Sequence, residues 1–307
     1  MTKPDLIIQN IRRVSSFLVF SFFFLLFTFS SGCQPTMEAL SPCSGKPTVT
    51  VAIEDLNART AKMPGLKASG QGIIEFYDED GKLRREPFPV IIRTMPPQGL
   101  YFQGNVIVPK SVILGTNAQE FWLWIKLKEV DSFWSGPFGG CVSGASEASP
   151  VMLLSPASIL ESLSYVKLDS QNPGGYAFRH KSPYDVVTML DAQGLPARNV
   201  YIYSCDSTPR KIEYFGPGNK LMLTTRLSNY AMVTPELAVP TRIEMTFIDE
   251  KDRSQKLSIA LNKDTLEVFR ATPRQATGLF TKPDPVGTRH IFRLGDNCKF
   301  EEIPAGQ

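Results

Sequence analysis

The stretch Glu120-Phe121-Trp122-Leu123-Trp124-Ile125 carries a large apolar side chain at every position between Glu120 and Lys126. In an extended chain alternate side chains point to opposite faces. Phe121, Leu123 and Ile125 therefore share one face, and Trp122 and Trp124 share the other. A sheet with one face in water does not need large apolar groups on both. Two readings meet this pattern. Either helices cover one side of the sheet and a loop or a disulfide-tied C-terminus covers the other, or one face lines a cavity for an apolar ligand, since ligand sites are concave and largely apolar with a few polar groups.

Working outward, short β-rich runs recur on both sides of this stretch. Residues 67–77 lead into Asp78-Glu79-Asp80-Gly81, whose Asp-Gly is a hairpin signal. Residues 88–94, 100–108, 111–116, 120–128 and 130–134 follow, a spacing that predicts an antiparallel meander. A second series covers residues 186–190, 199–204, 211–214, 221–226, 242–248 and 256–261, with turn signals such as Gly216-Pro217-Gly218-Asn219. The hairpin turning at 250–254 is the clearest of these. Each series is preceded by a helix. Val51, Ile53, Leu56, Ala58 and Ala61 recur at helical spacing and stop at Pro64-Gly65, although Val49 and Val51 also alternate as a strand would. Ser155-Pro156 before Ile159, Leu160 and Leu163 is an N-cap followed by proline at the first helical position. The expected architecture is one α+β domain over residues 48–307, of a size that can form a single core.

The N-terminus is an address label. Lys3, Arg12 and Arg13 precede an apolar run over residues 17–29, which ends at Ser30-Ser31-Gly32-Cys33. A basic region, a short apolar run and small residues at a cleavage point read as a secretory signal, and the cysteine makes it a lipoprotein signal. Ser31 and Gly32 fit the lipobox, while Ser30 stands where Leu is usual. The run is shorter than the ~18–20 residues of a spanning helix; an uncleaved anchor and a signal cut elsewhere are the competing readings. Residues 1–32 are thus expected to be removed and Cys33 to carry the acyl anchor and incorporate palmitate. Residues 33–47, with Pro35, Ser41, Pro42, Ser44 and Gly45, read as a flexible tether. Gln34 is not the Asp that retains lipoproteins at the inner membrane in enteric bacteria, which directs the expectation to the outer membrane, facing the periplasm.

Charge does not select a partner. The chain carries +3, and loss of Lys3, Arg12, Arg13 and Asp5 with the signal leaves it near neutral. There is no basic excess for nucleic acid or anionic lipid. Beyond Cys33 the cysteines are Cys43, Cys141, Cys205 and Cys298. In an oxidising compartment they can form two disulfides, in any of three connectivities; a Cys43–Cys298 pair would tie the ends of the domain together. No CxxC unit suggests zinc.

Catalytic patterns are missing. The two histidines, His180 and His290, each follow an arginine and read as surface residues. In Gly140-Cys141-Val142-Ser143-Gly144 the serine is misplaced for a nucleophile elbow, so the segment reads as a flexible loop. No phosphate-binding loop, zinc-protease motif or dinucleotide fingerprint occurs. The acidic groups at 78–80 and 249–250 fall at turns, as solvated charges do. The expectation is a protein that is not an enzyme and uses no cofactor or metal.

The order of elements resembles the periplasmic lipoprotein-carrier fold, the LolA and LolB superfamily with its RseB-type sensor relatives. The likeness rests on a helix ending near Met63, the strand from Leu66, Tyr101-Phe102, Glu120-Phe121-Trp122-Leu123-Trp124, the helix after Ser155, and the later strands through Leu261. It implies an incomplete antiparallel β-barrel, a sheet curled around lid helices, whose interior holds acyl chains noncovalently. The tethered form resembles the receptor more than the soluble carrier. Strand phase then nominates Phe76, Ile91, Tyr101, Trp122, Trp124 and Trp134 as the cavity lining. The expected ligand is a lipid or the acyl chains of a lipoprotein. The alternative is a structural or signalling envelope lipoprotein whose core is closed and whose surface docks a protein partner.

Overall fold

The computed structural model describes residues 40–77, 80–105, 110–126, 131–138, 155–249, 252–295 and 299–304. Cys33, Cys141, Cys298 and the 140–144 loop lie outside the described residues. Helix α1 (Val49–Ala61) is capped by Thr48, whose hydroxyl accepts from the Val51 amide at 3.3 Å. It buries Ala52, Ile53 and Leu56, so helical periodicity prevails over the Val49/Val51 alternation.

The first strand series is β1 (Leu66–Tyr77), β2 (Leu83–Met95), β3 (Gly99–Gly104), β4 (Val112–Thr116), β5 (Glu120–Lys126) and β6 (Asp131–Pro137). Helix α2 (Pro156–Ser162) follows, with Ser155 accepting from the Ser158 amide at 3.1 Å and proline at the first turn. The second series is β7 (Tyr176–Lys181), β8 (Tyr184–Leu190), β9 (Pro196–Tyr203), β10 (Pro209–Gly216), β11 (Lys220–Thr234), β12 (Leu237–Ile248) and β13 (Ser254–Leu261). The chain ends with β14 (Glu267–Val268), helix α3 (Pro273–Phe280), β15 (His290–Leu294) and β16 (Phe300–Ile303).

All the strands belong to one open sheet, in the order β16-β15-β6-β5-β4-β3-β2-β1-β13-β12-β11-β10-β9-β8-β7, with β14 added beside β1. It curls strongly. Helix α2 touches both β4 and β11, which are separated by six strand steps in the sheet. Flat, those steps would span roughly 29 Å at ~4.8 Å each, far more than a helix ~10–12 Å across can bridge. The sheet is therefore an incomplete barrel wrapped around helices. Its concave face holds the core: Ala68, Ile92, Phe102, Leu114 and Leu123 align across neighbouring strands and pack with Ile159, Leu160 and Leu163 from α2 and the turn after it. Helix α1 covers the same face farther round, over Val187, Val200, Ile202 and Ile212.

Two expectations change. Pairing is antiparallel except where β15 runs parallel to β6. Residues 281–289 cross the sheet before β15 begins, and a crossover delivers the next strand in the parallel sense. Residues 41–47, expected to belong to the tether, instead lie within the compact unit that begins at Ser41. Cys43 is disulfide-bonded to Cys205, the Tyr203 hydroxyl donates to the Ser41 carbonyl at 3.1 Å, and the Lys46 amide donates to Asp185 at 3.2 Å. The Cys43–Cys298 pair is thereby replaced by Cys43–Cys205.

Candidate functional site

The sheet register divides the six nominated lining residues between two faces. Trp134 lies opposite Leu123, and Phe76 keeps phase with Ala68, so these two are concave. Ile91, Tyr101, Trp122 and Trp124 lie on the convex face. The six do not converge on one cavity, and the face with Phe121, Leu123 and Ile125 is the one that turns inward. Side-chain size did not reveal this, because the inward face is the one on which α2 docks.

On the convex side the tryptophans are packed. Trp122 is 1% exposed, and its indole lies over Gly115 on β4 so closely that a methyl group there would come within 2.3 Å of the ring. Trp124 meets Phe133 edge-on at 5.8 Å, and Lys126 Nζ sits 3.4 Å above its ring. Helix α3 packs on β3 and β4, and a Cβ on Gly99 would point to the Phe280 ring at 3.3 Å. From there the chain is pinned twice on the Trp122 face. Lys282 pairs with Glu120 at 2.7 Å, and the Arg289 amide donates to Asp131 at 3.3 Å. Those anchors lie at opposite ends of the β5–β6 hairpin, so residues 282–289 form a strap across it. Beneath this cover Tyr101 donates to Gln103 at 2.8 Å, and Gln103 donates to Asn105 at 2.9 Å. Burial raises the Tyr101 phenol above its usual pKa, which nearby Arg93 opposes.

The concave face is graded along the strands. At one end it is shut by Tyr165, whose hydroxyl donates to the Pro64 carbonyl and bonds Thr94 at 2.7 Å. Leu66, Leu100, Leu227 and Leu261 toward that end are buried. Toward the other end Ile74, Phe76, Val112, Ile125 and Met222, which a β-bulge after Leu221 turns inward, are only half-buried. Trp134 stacks on Phe292 at 4.0 Å and meets Phe300 edge-on at 5.0 Å, and it too is half-buried. Sequence reasoning placed Ile125 on the correct face but did not nominate it. Ile74 and Val112 were missed as well; their phase with Ala68 and Leu114 was the available signal.

Within the concavity sits a polar lock. Glu161 of α2 accepts from Arg198 on β9 and from the Tyr214 hydroxyl on β10. Burial and the neighbouring carboxylate push the Tyr214 phenol well above its usual pKa, so it remains a neutral donor. The two histidines hold carboxylates: His180 lies 3.0 Å from the buried Asp185, and His290 lies 2.7 Å from Glu302. Among the described residues no cluster of side chains could hold a metal ion, and no helix is long and apolar enough to cross a membrane.

No known family model matches the chain, and no curated protein matches it. Solved structures similar to it include a LolA superfamily protein from Nitrosomonas europaea, at 11% identity over 77% of this chain and 99% of that one, with a TM-score of 0.46. A DUF1329 family protein from Desulfovibrio piger is 11% identical over 76% and 99%, with a TM-score of 0.48. A putative outer membrane lipoprotein-sorting protein domain from Vibrio parahaemolyticus is 12% identical over 69% and 91%, with a TM-score of 0.43.

Proposed function

We propose that this chain is a lipid-anchored envelope protein, tethered to the outer membrane through Cys33, that binds acyl chains on the concave side of its sheet and is not an enzyme. The observation that carries this reading is the half-buried apolar end of the concavity, formed by Ile74, Phe76, Val112, Ile125 and Met222, opposite the end that Tyr165 shuts. Each acyl methylene buried there is worth about 0.8 kcal/mol, so apolar area alone can hold a chain. The acyl chains belong to a lipid or a lipoprotein. The lipoprotein signal supports the envelope location.

Titration of residues 34–307 with a fluorescent fatty acid tests the reading. Saturable binding that Ile125→Glu weakens at least roughly tenfold is expected, because a carboxylate at the entrance must be desolvated beside the chain. Equal affinity in the variant, or no saturable binding by the parent, contradicts it. A second reading has an observation of its own: the Glu161–Arg198–Tyr214 lock and the strapped Trp122 face make a closed body. That reading is an envelope module docking a protein partner, and it gains if the parent binds no fatty acid.

A further inference from the structure

On the convex face, where β14 pairs with β1, lies an open cleft of about 640 Å³ lined by Lys67, Arg93, Glu267, Phe269, Arg270 and Gln275. Pairing places Lys67 opposite both Arg93 and Glu267. Lys67 Nζ and Glu267 Oε1 are 2.6 Å apart and offset each other's charge. The guanidinium groups of Arg93 and Arg270 have no ion pair or side-chain hydrogen bond among the described residues. The cleft therefore carries two uncompensated guanidinium groups. The first turn of α3 is already closed by the Thr272–Gln275 capping box, with the Thr272 amide donating to Gln275 Oε1 at 3.0 Å. A ligand would meet side chains there rather than helix amides.

Two planar guanidinium groups beside one cleft suit a group that presents several oxygens and one or two negative charges, since arginine donates in forked pairs to such oxygens. We propose that Arg93 and Arg270 make this cleft a phosphate-binding site, on the face of the sheet opposite the acyl-chain concavity. The same chemistry belongs to free phosphate and to the phosphodiester of a lipid headgroup.

Calorimetric titration of the full chain in an uncharged detergent, with inorganic phosphate and with glycerophosphoglycerol, tests the site and its source. Saturable binding of at least one ligand is expected. Arg93→Gln and the exposed Arg270→Gln should each weaken it roughly tenfold, the loss of a charge-assisted hydrogen bond. Lys256→Gln removes a charge from an exposed position on β13 and should change affinity by less than about twofold, in keeping with screened surface charge. Tighter binding of the diester supports the site and assigns it to a headgroup; tighter binding of inorganic phosphate supports it and assigns free phosphate. No saturable binding of either ligand, or an equal loss in Lys256→Gln, overturns the proposal.

Discussion

Trp122 and Gly115 behave as one unit of packing. The indole fills the space that a β4 side chain would otherwise occupy, and it is sealed at 1% exposure. Glycine inside a strand weakens it unless something approaches closely, and here the ring does. Gly115→Ala should therefore destabilise the fold by about 1–3 kcal/mol through overpacking, read as a lower urea midpoint at unchanged slope. A neutral substitution would show that the indole is free to move. The pairing was only half legible in the chain: the Trp122/Trp124 phase was plain, but nothing in it marks Gly115 as the partner, because cross-strand register depends on turn geometry.

Among the elements, the best legible were those with caps or strict alternation. The stop at Pro64-Gly65, Ser155-Pro156 and the 250–254 turn announced themselves, and α1, α2 and the β12–β13 hairpin formed there. Helix α3 also had a signal, Thr272 and Gln275 in capping-box spacing behind Pro273, which the apolar count alone passes over. Strand β7 (Tyr176–Lys181) is mostly exposed and rich in charge, so its edge position hid it. Cysteine connectivity is invisible to spacing, and the fold resolves one pair by bringing residues 41–46 against the β9–β10 turn. The bond restricts the unfolded chain over a sequence separation of 162 residues. Cys205→Ser is expected to cost about 2–5 kcal/mol, measured by urea unfolding under non-reducing conditions. The same stability in variant and parent would mean that the tether's other contacts hold it without the bond.

At the scale of the whole molecule, alternation in the strands assigned two faces but not the direction of curl. That direction follows from which face receives α1 and α2, a tertiary choice made by residues far apart in sequence. The strap over residues 282–289 has no periodicity to announce it. Its cover explains how the sheet carries Trp122 on its convex face at 1% exposure. The curled sheet and its helices were thus legible in the chain, while Ile91, Tyr101, Trp122 and Trp124 of the nominated lining fall on the packed side. The central claim is that the graded concavity takes up an acyl chain, and native mass spectrometry of residues 34–307, recovered from the periplasm without detergent, tests it most directly. The account predicts a population heavier than the bare chain by the mass of one lipid, lost in Ile125→Glu. A single peak at the bare mass, under conditions that retain lipid on a known carrier, would contradict it.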